Sequence, residues 1–332
     1  MKRNTASNGS ASRRHRASVR NGSRRKAAGG KHPLVVTGAS SGGIEALHHL
    51  LPQLPRDFQA AVLVVVHIAA SSPNLLDQVL AKHSLMPVRD ARDGELIKPG
   101  NIYVAQPDLH LTVEQDHLRL IHGPKENRHR PAIDPLFRSV AWQYAERAIG
   151  LLLTGNLNDG TAGLWAIKNS GGRTIVQDPA EAAYPDMPYS AITEVRVDHI
   201  VPIQAIAPLL QKLVTKQKNG STPPRRRGMK LETEIAEMKQ PLDATIKLGK
   251  PSCFTCPDCN GTLFQLHADT MLRFRCRTGH SFTAESLEAG LTDEIENALW
   301  FALRALGEKA NLLRDLVGKA RDKGQSLSSP LR

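Results

Sequence analysis

The sequence predicts an α/β protein: a doubly wound, mostly parallel sheet, then a small zinc-ribbon-like module and a long C-terminal helix. Three observations carry this. Short runs rich in Val, Ile and Leu alternate with helix-period segments from Leu34 to about Val214. Four cysteines, Cys253, Cys256, Cys259 and Cys276, then crowd into 24 residues. Finally, apolar residues recur between 287 and 320, nine steps over 33 residues or about 3.67 per step, which is helical spacing.

Residues 1–31 open the chain as a basic tail. Ten of the Lys and Arg residues and no acid fall within 1–32, so the net charge of +12 drops to 12 − 10 = +2 for the rest. A Ser, Asn, Gly and Arg tail with few apolar residues beyond alanine cannot repay its ordering entropy, so disorder is expected. It suits contact with an anionic surface, whether lipid, RNA or an acidic partner, or simple solvation. The near-neutral remainder argues against a specific nucleic-acid partner. The longest apolar stretch, roughly Ala60 to Ala70, is too short to cross a bilayer. No basic-then-apolar leader opens the chain, so a cytoplasmic, non-secreted protein is expected.

Residues 32–215 form the first folded domain. The runs LVVT (34–37), AVLVVVHI (61–68), IGLLLT (149–154), RTIVQ (173–177) and HIVPI (199–203) mostly lack polar alternation, as strands buried on both faces do. Helix-like stretches lie between them, at Ile44–Leu54, Pro73–Lys82, Pro135–Arg147 and Thr161–Ser170. The segment Glu95–His122 suggests short antiparallel strands at a sheet edge. Residues 216–250 read as a linker, with a short charged helix at 230–240; 251–283 as the cysteine module; 284–323 as the amphipathic helix; and 324–332 as a second disordered tail.

Ligands gather outside the carboxyl ends of the strands in such sheets. Three strands here end in reactive residues. LVVT leads into Gly38-Ala39-Ser40-Ser41-Gly42-Gly43, a serine in a glycine-rich turn that opens a helix. AVLVVV ends on His67. IGLLLT leads into Gly155-Asn156-Leu157-Asn158-Asp159-Gly160. A serine nucleophile needs an imidazole to take its proton and an acid to orient that imidazole. Each residue alone has an ordinary structural explanation as a helix cap, a hydrogen-bonded histidine or a turn aspartate; together they suggest a serine hydrolase. A short-chain dehydrogenase is excluded. Ile44 stands where a third glycine belongs, no tyrosine is followed four residues later by lysine, and the second strand ends on His67 instead of an acid.

With GASSGG (38–43), VVH (65–67), RPAID (130–134), LLTGNLNDGTAGL (152–164) and VQDPAEAAYPDMP (176–188), the stretch from His32 to Val214 resembles the catalytic domain of the chemotaxis protein-glutamate methylesterases (CheB type). The resemblance implies a doubly wound parallel sheet and hydrolysis of glutamate methyl esters on methyl-accepting chemoreceptors, with deamidation of glutamines at such sites. It makes Ser40 the nucleophile, His67 the general base and Asp159 the orienting acid, with backbone N–H groups at Ser41, Gly42 and Asn156 for the oxyanion. The chain departs from the family at Asn156-Leu157, where Met-Gly is usual, and at Ala132, where serine is common. Members that carry a receiver domain place it first, and the basic tail stands here instead. The isolated 32–215 segment is therefore expected to act without a phosphodonor, with the C-terminal parts serving to place the enzyme near substrate.

In the cysteine module, C-x2-C-x16-C-x3-H assigns Cys256, Cys259, Cys276 and His280 to one structural zinc. Cys253 is read as a free thiol, although its overlapping CxxC would allow it to replace a ligand. A module this small is expected to need its metal to fold, and to unfold on chelation without unfolding the esterase. No cofactor for catalysis is expected. The final helix can fold back, self-associate or bind a helical partner. A second reading of the whole chain is an interaction scaffold of a chemosensory system, catalytically weak because of Asn156-Leu157.

Overall fold

Apolar runs without polar alternation bury both faces, and the six residues of β1 (Leu34–Ala39) and of β2 (Ala61–Val66) are all buried. The computed structural model describes residues 32–216, 227–241, 243–267 and 271–322. The expected tails at 1–31 and 324–332, and most of the expected linker's first part, lie outside the described residues.

Between the first two strands lies α1 (Gly43–Leu50), and after them come α2 (Leu76–Ala81), β3 (Val88–Asp90) and β4 (Ile102–Val104). A hairpin, β5 (His110–Glu114) and β6 (His117–Ile121), leads to α3 (Ile133–Tyr144). The domain closes with β7 (Ala148–Leu152), α4 (Thr161–Asn169), β8 (Arg173–Gln177), α5 (Asp186–Glu194), β9 (His199–Val201) and α6 (Ile203–Lys216). Seven strands form one parallel sheet in the order β3-β4-β2-β1-β7-β8-β9. One face is covered by side chains of α1, α2 and α6, including Leu47, Leu80 and Leu210. The other is covered by α3, α4 and α5, including Phe137, Ile167 and Met187. The doubly wound expectation holds. The strand order reverses between β1 and β7, which places a crevice at their carboxyl ends.

The segment Glu95–His122 differs from its reading. Ile102–Val104 is a parallel strand inside the main sheet, too short at three residues to show a pattern. The antiparallel pair exists, but as a separate two-stranded sheet, tied to α3 by the Val113 N–H donating to Ser139 Oγ at 3.1 Å.

Residues 227–241 and 243–250 are described, and they hold more structure than the short charged helix expected in the linker. Helix α7 (Arg227–Ala236) lies against α3 and feeds a four-stranded antiparallel sheet. Its strands are β10 (Gly249–Thr255), β11 (Thr262–Leu266), β12 (Arg273–Cys276) and β13 (Ser281–Thr283). This sheet runs directly into α8 (Ala284–Asp322). Its core is small: Leu263, Phe274, Phe282 and Leu287 around two cysteines. The module does not stand apart from the esterase domain. Glu126 Oε1 accepts from Arg138 Nη2 at 2.7 Å and from Arg275 Nη2 of the module at 2.9 Å, all three buried. Arg273 makes a two-pronged bond to Glu232 of α7, both contacts 2.8 Å. Beyond its first turns α8 does not fold back. Leu299, Trp300, Phe301, Leu303 and Leu306 are each at least 60% exposed. Among the described residues no helix is long and apolar enough to cross a membrane.

Candidate active site

Ser40, His67 and Asp159 follow β1, β2 and β7, three adjacent strands of one parallel sheet. Pairing of Ala39 with Val66 sets Ser40 beside His67, and pairing of Gly38 with Leu152 brings the Asp159 turn to the same edge. The His67 ring bridges Ser40 and Asp159. Its nearer nitrogen, Nδ1, is 3.1 Å from Ser40 Oγ, and the farther Nε2 is 2.7 Å from Asp159 Oδ2. The carboxylate fixes the proton on Nε2, leaving Nδ1 to accept from the serine hydroxyl. The two nitrogens thus exchange the places they hold in the serine proteases, because here the serine sits on the neighbouring strand and the acid one strand beyond.

Asp159 is 2% exposed and fully engaged. Besides His67, it accepts from Ile133 N at 2.6 Å, Asp134 N at 3.3 Å and Asn127 Nδ2 at 2.9 Å. The first two are free N–H groups of the first turn of α3, whose own cap position, Ala132, has no side-chain oxygen to offer. Asp159 takes over that cap, and the positive end of α3 favours its negative charge. Burial pushes the Asp159 carboxyl up, but the His67 bond, the α3 N–H and Asn127 outweigh it and hold it well below the usual carboxylate range. Asp134 does the opposite. Burial, and then the charge of Asp159, raise it to about 7, although Gly163 N donates to it at 2.6 Å.

The serine turn is locked from β7. Thr154 Oγ1 donates to the Ser41 carbonyl at 3.1 Å, and Ser40 N–H donates to Thr154 O at 3.0 Å. Gly42 sits at φ 72 and opens α1, where N–H groups point outward. Gly155 has no room for a side chain, since a Cβ there would lie 2.8 Å from that of Ser40. Asn156 is exposed, and its Nδ2 donates to Ser41 Oγ at 3.1 Å, joining the two turns named from sequence. Leu157 takes φ 59, the left-handed conformation a glycine adopts freely. Such a residue stores about 1 kcal/mol of strain, small enough for the surrounding fold to hold. The turn therefore keeps its shape, and the scaffold reading loses its sequence-level motive.

Sequence reasoning missed His129 and Asn127. The His129 ring stacks on His67, centroids 3.7 Å apart and 8° from parallel, and its Nδ1–H donates to Asn127 O at 2.6 Å. A cleft of about 430 Å³ opens over Ser40 and His67, walled by His129 and rimmed by Lys125, Arg128 and Arg130. The string ENRHRPAID (126–134) marked the region, but which of its side chains face the triad is set by tertiary packing.

Burial, and then the neighbouring His67 ring, push His129 from 6.5 down to about 4. Above pH 6.5 both folded and unfolded chains carry it neutral. As pH falls from 6.5 to about 4, the unfolded chain binds a proton that the folded chain refuses. Stability therefore falls across that window by up to about 3 kcal/mol and is constant below it. Buried His110 acts in the same direction, so a difference between variants is needed. His129→Phe keeps a stacking ring without the proton. Between pH 7 and 4, wild type should lose about 3 kcal/mol more than this variant by urea denaturation. Parallel curves would contradict the assignment.

Cys256, Cys259, Cys276 and His280 bring their ligand atoms within 4.8 Å of one another. Cys259 and Cys276 Sγ are 3.6 Å apart, and His280 Nδ1 is 3.7 Å from Cys256 Sγ and 3.5 Å from Cys276 Sγ. A tetrahedral ion with ~2.3 Å bonds to sulfur requires edges near these lengths, so the donor set fits a metal of that kind. Cys253 is exposed and outside the cluster.

Residues 35–210 match the family model described as CheB methylesterase. Over 180 residues the chain is 39% identical to a Leptospira interrogans protein provisionally named protein-glutamate methylesterase/protein-glutamine glutaminase, covering 54% of this chain and 93% of the relative. Over 184 residues it is 40% identical to protein-glutamate methylesterase/protein-glutamine glutaminase 2 of Xanthomonas oryzae pv. oryzae, covering 54% of this chain but only 51% of the relative. The chain thus spans nearly all of the first and about half of the second. The crystal structure of the Thermotoga maritima CheB methylesterase catalytic domain superposes with a TM-score of 0.54 at 34% identity, covering 56% of this chain and 100% of that one. Strand-end serine, histidine and aspartate, a doubly wound sheet and these likenesses agree: the chain belongs to the CheB methylesterase family.

Proposed function

We propose that the chain hydrolyses methyl esters of glutamate side chains on chemoreceptors or related signalling proteins, and deamidates glutamines there by the same chemistry. The observation that carries this is the unbroken hydrogen-bonded chain Ser40–His67–Asp159 at the mouth of the cleft. Ser40 Oγ attacks the ester carbonyl as its proton passes to His67 Nδ1, and Asp159 steadies the imidazolium that forms. N–H groups of Ser41, Gly42 and Asn156 receive the oxyanion, each donor typically worth about 3 kcal/mol. His67 returns the proton to the leaving methanol. Water, activated by the same ring, then frees the glutamate and restores Ser40.

Of the rim cations, Arg128 and Arg130 are paired with Asp293 and Asp108, and Lys125 suits a substrate carboxylate beside the ester. The ion at Cys256, Cys259, Cys276 and His280 is read as structural zinc, with no part in the chemistry. The protein is read as cytoplasmic. The exposed apolar side chains of α8 suit another helix, in a partner or a second copy. The test is methanol release from methylated receptors of the same organism. Release by the full chain supports the reading, and none from receptors that a known methylesterase demethylates would refute it.

A further inference from the structure

The buried side chain of Asn127 joins the candidate site to the module that sequence reasoning sets apart from it. Its two N–H donors go to neighbouring carboxylates, Asp159 Oδ1 and Asp134 Oδ2, each at 2.9 Å. Its Oδ1 accepts from Thr283 N–H at 3.1 Å and faces the Ser286 hydroxyl at 3.0 Å. Asn127 is 4% exposed and Ser286 fully buried. Turned over, this amide would set its oxygen against two carboxylates and an N–H group against the Thr283 N–H. The β13–α8 junction therefore fixes which way it points.

The same junction grips the acid's own turn and the loop above it. Thr283 Oγ1 donates to Asn158 Oδ1 at 2.6 Å, and Asn158 Nδ2 donates to Glu285. Asn127 N–H donates to Ser281 O at 2.7 Å, Arg275 pairs with Glu126, and Arg128 pairs with Asp293 of α8. Asp159 is thus held by α3 on one side and, through Asn127 and Asn158, by the C-terminal module on the other. Cys276 and His280 bracket the turn that delivers Ser281–Thr283, so a metal bound there would fix that strand in place.

The geometry points to Asn127, Thr283 and Ser286 as positioning residues for the reaction, and to the metal-bearing module as a working part of the active site. This rests on the triad reading above. It reverses the expectation that residues 32–215 suffice, because that segment lacks the donors that orient Asn127 and the partners that hold Asn158.

The test uses the full chain and p-nitrophenyl acetate. Thr283→Val/Ser286→Ala removes both hydroxyls and leaves the backbone. It should lower kcat about tenfold with KM within about twofold, the pattern of a disturbed catalytic geometry rather than lost binding. Thr283→Ser keeps the hydroxyl and should stay within about twofold of wild type. Amide exchange at 125–129 should speed up in the double variant, and likewise when the metal is removed from the wild type by a chelator. A double variant that retains metal and fold with wild-type kcat overturns the proposal. If that variant does not fold, Ser286→Ala alone decides: a fall of about threefold supports it and an unchanged kcat overturns it. Unchanged exchange after chelation overturns the part given to the metal. A wild type with no Ser40-dependent hydrolysis would remove the triad reading and this proposal together. An active wild type with unaffected variants removes this proposal alone.

Discussion

Ser40→Ala in the full chain is expected to lower ester hydrolysis by about 10⁴-fold or more, leaving the unfolding midpoint nearly unchanged. The serine is half-buried, and among the described residues its one side-chain hydrogen bond is with His67, so removing the oxygen deletes the proposed nucleophile and little else. His67→Ala should be comparably severe, because it deletes the imidazole hydrogen-bonded to the serine hydroxyl. The two losses should not multiply in the double variant, since either one stops the same step. Asp159→Asn should fall by a similar order yet retain measurable turnover. It should also cost stability, which separates it from the other two. Every hydrogen-bond partner of Asp159 among the described residues is a donor, including His67 Nε2, Ile133 N and Asn127 Nδ2, so an asparagine N–H pair must face at least one of them. Kinetics and urea denaturation on the same samples check both halves. A Ser40→Ala protein with wild-type turnover would contradict the assignment.

Glu126→Gln is expected to destabilise the protein by about 3 kcal/mol, far more than Arg275→Met. The buried cluster between α3, α7 and the module holds three arginines, Arg138, Arg273 and Arg275, against two glutamates, Glu126 and Glu232. Burial pushes the Glu126 carboxyl up, but Arg138 and Arg275 outweigh that and keep it below its ordinary value. Neutralising Glu126 leaves three buried cations with one anion. Removing Arg275 leaves two of each, so the second change relieves an excess where the first deepens it. Arg275 Nη1 also donates to Gly279 O at 2.7 Å, a bond Met would lose, so its replacement still carries a modest cost. Equal destabilisation by the two variants, measured by urea denaturation, would show that the cluster's charge balance does not govern its stability.

The parallel sheet and the meeting of Ser40, His67 and Asp159 were legible because the strands that matter are apolar runs, one ending directly before His67 and two leading into the turns that carry Ser40 and Asp159. LVVT, AVLVVV and IGLLLT announce β1, β2 and β7 directly, and parallel pairing does the rest. The Cys and His spacing marked the cluster that could hold a metal ion for a comparable reason, since CxxC and CxxxH are local geometry. What stayed hidden is what depends on distant packing. Three-residue strands such as Ile102–Val104 carry no period. Ala132 stands where serine is common, and its helix borrows Asp159 as a cap, a pairing 26 residues apart with no sequence signature. The docking of the module was hidden most deeply. Arg273, Arg275 and Glu232 look like ordinary surface charges in the sequence, and Thr283 and Ser286 like an ordinary helix start. Only the tertiary arrangement shows that Arg273 pairs with Glu232, that Arg275 pairs with Glu126, and that Thr283 and Ser286 face Asn127.

The account stands on Ser40 being the nucleophile, and covalent trapping asks that directly. The full chain is treated with a serine-reactive fluorophosphonate, digested, and the modified peptide located by mass spectrometry. One adduct on Ser40 in the wild type is the result predicted, strongly slowed in His67→Ala. An adduct on another serine, or unimpaired ester hydrolysis by a protein with no adduct at Ser40, would contradict it.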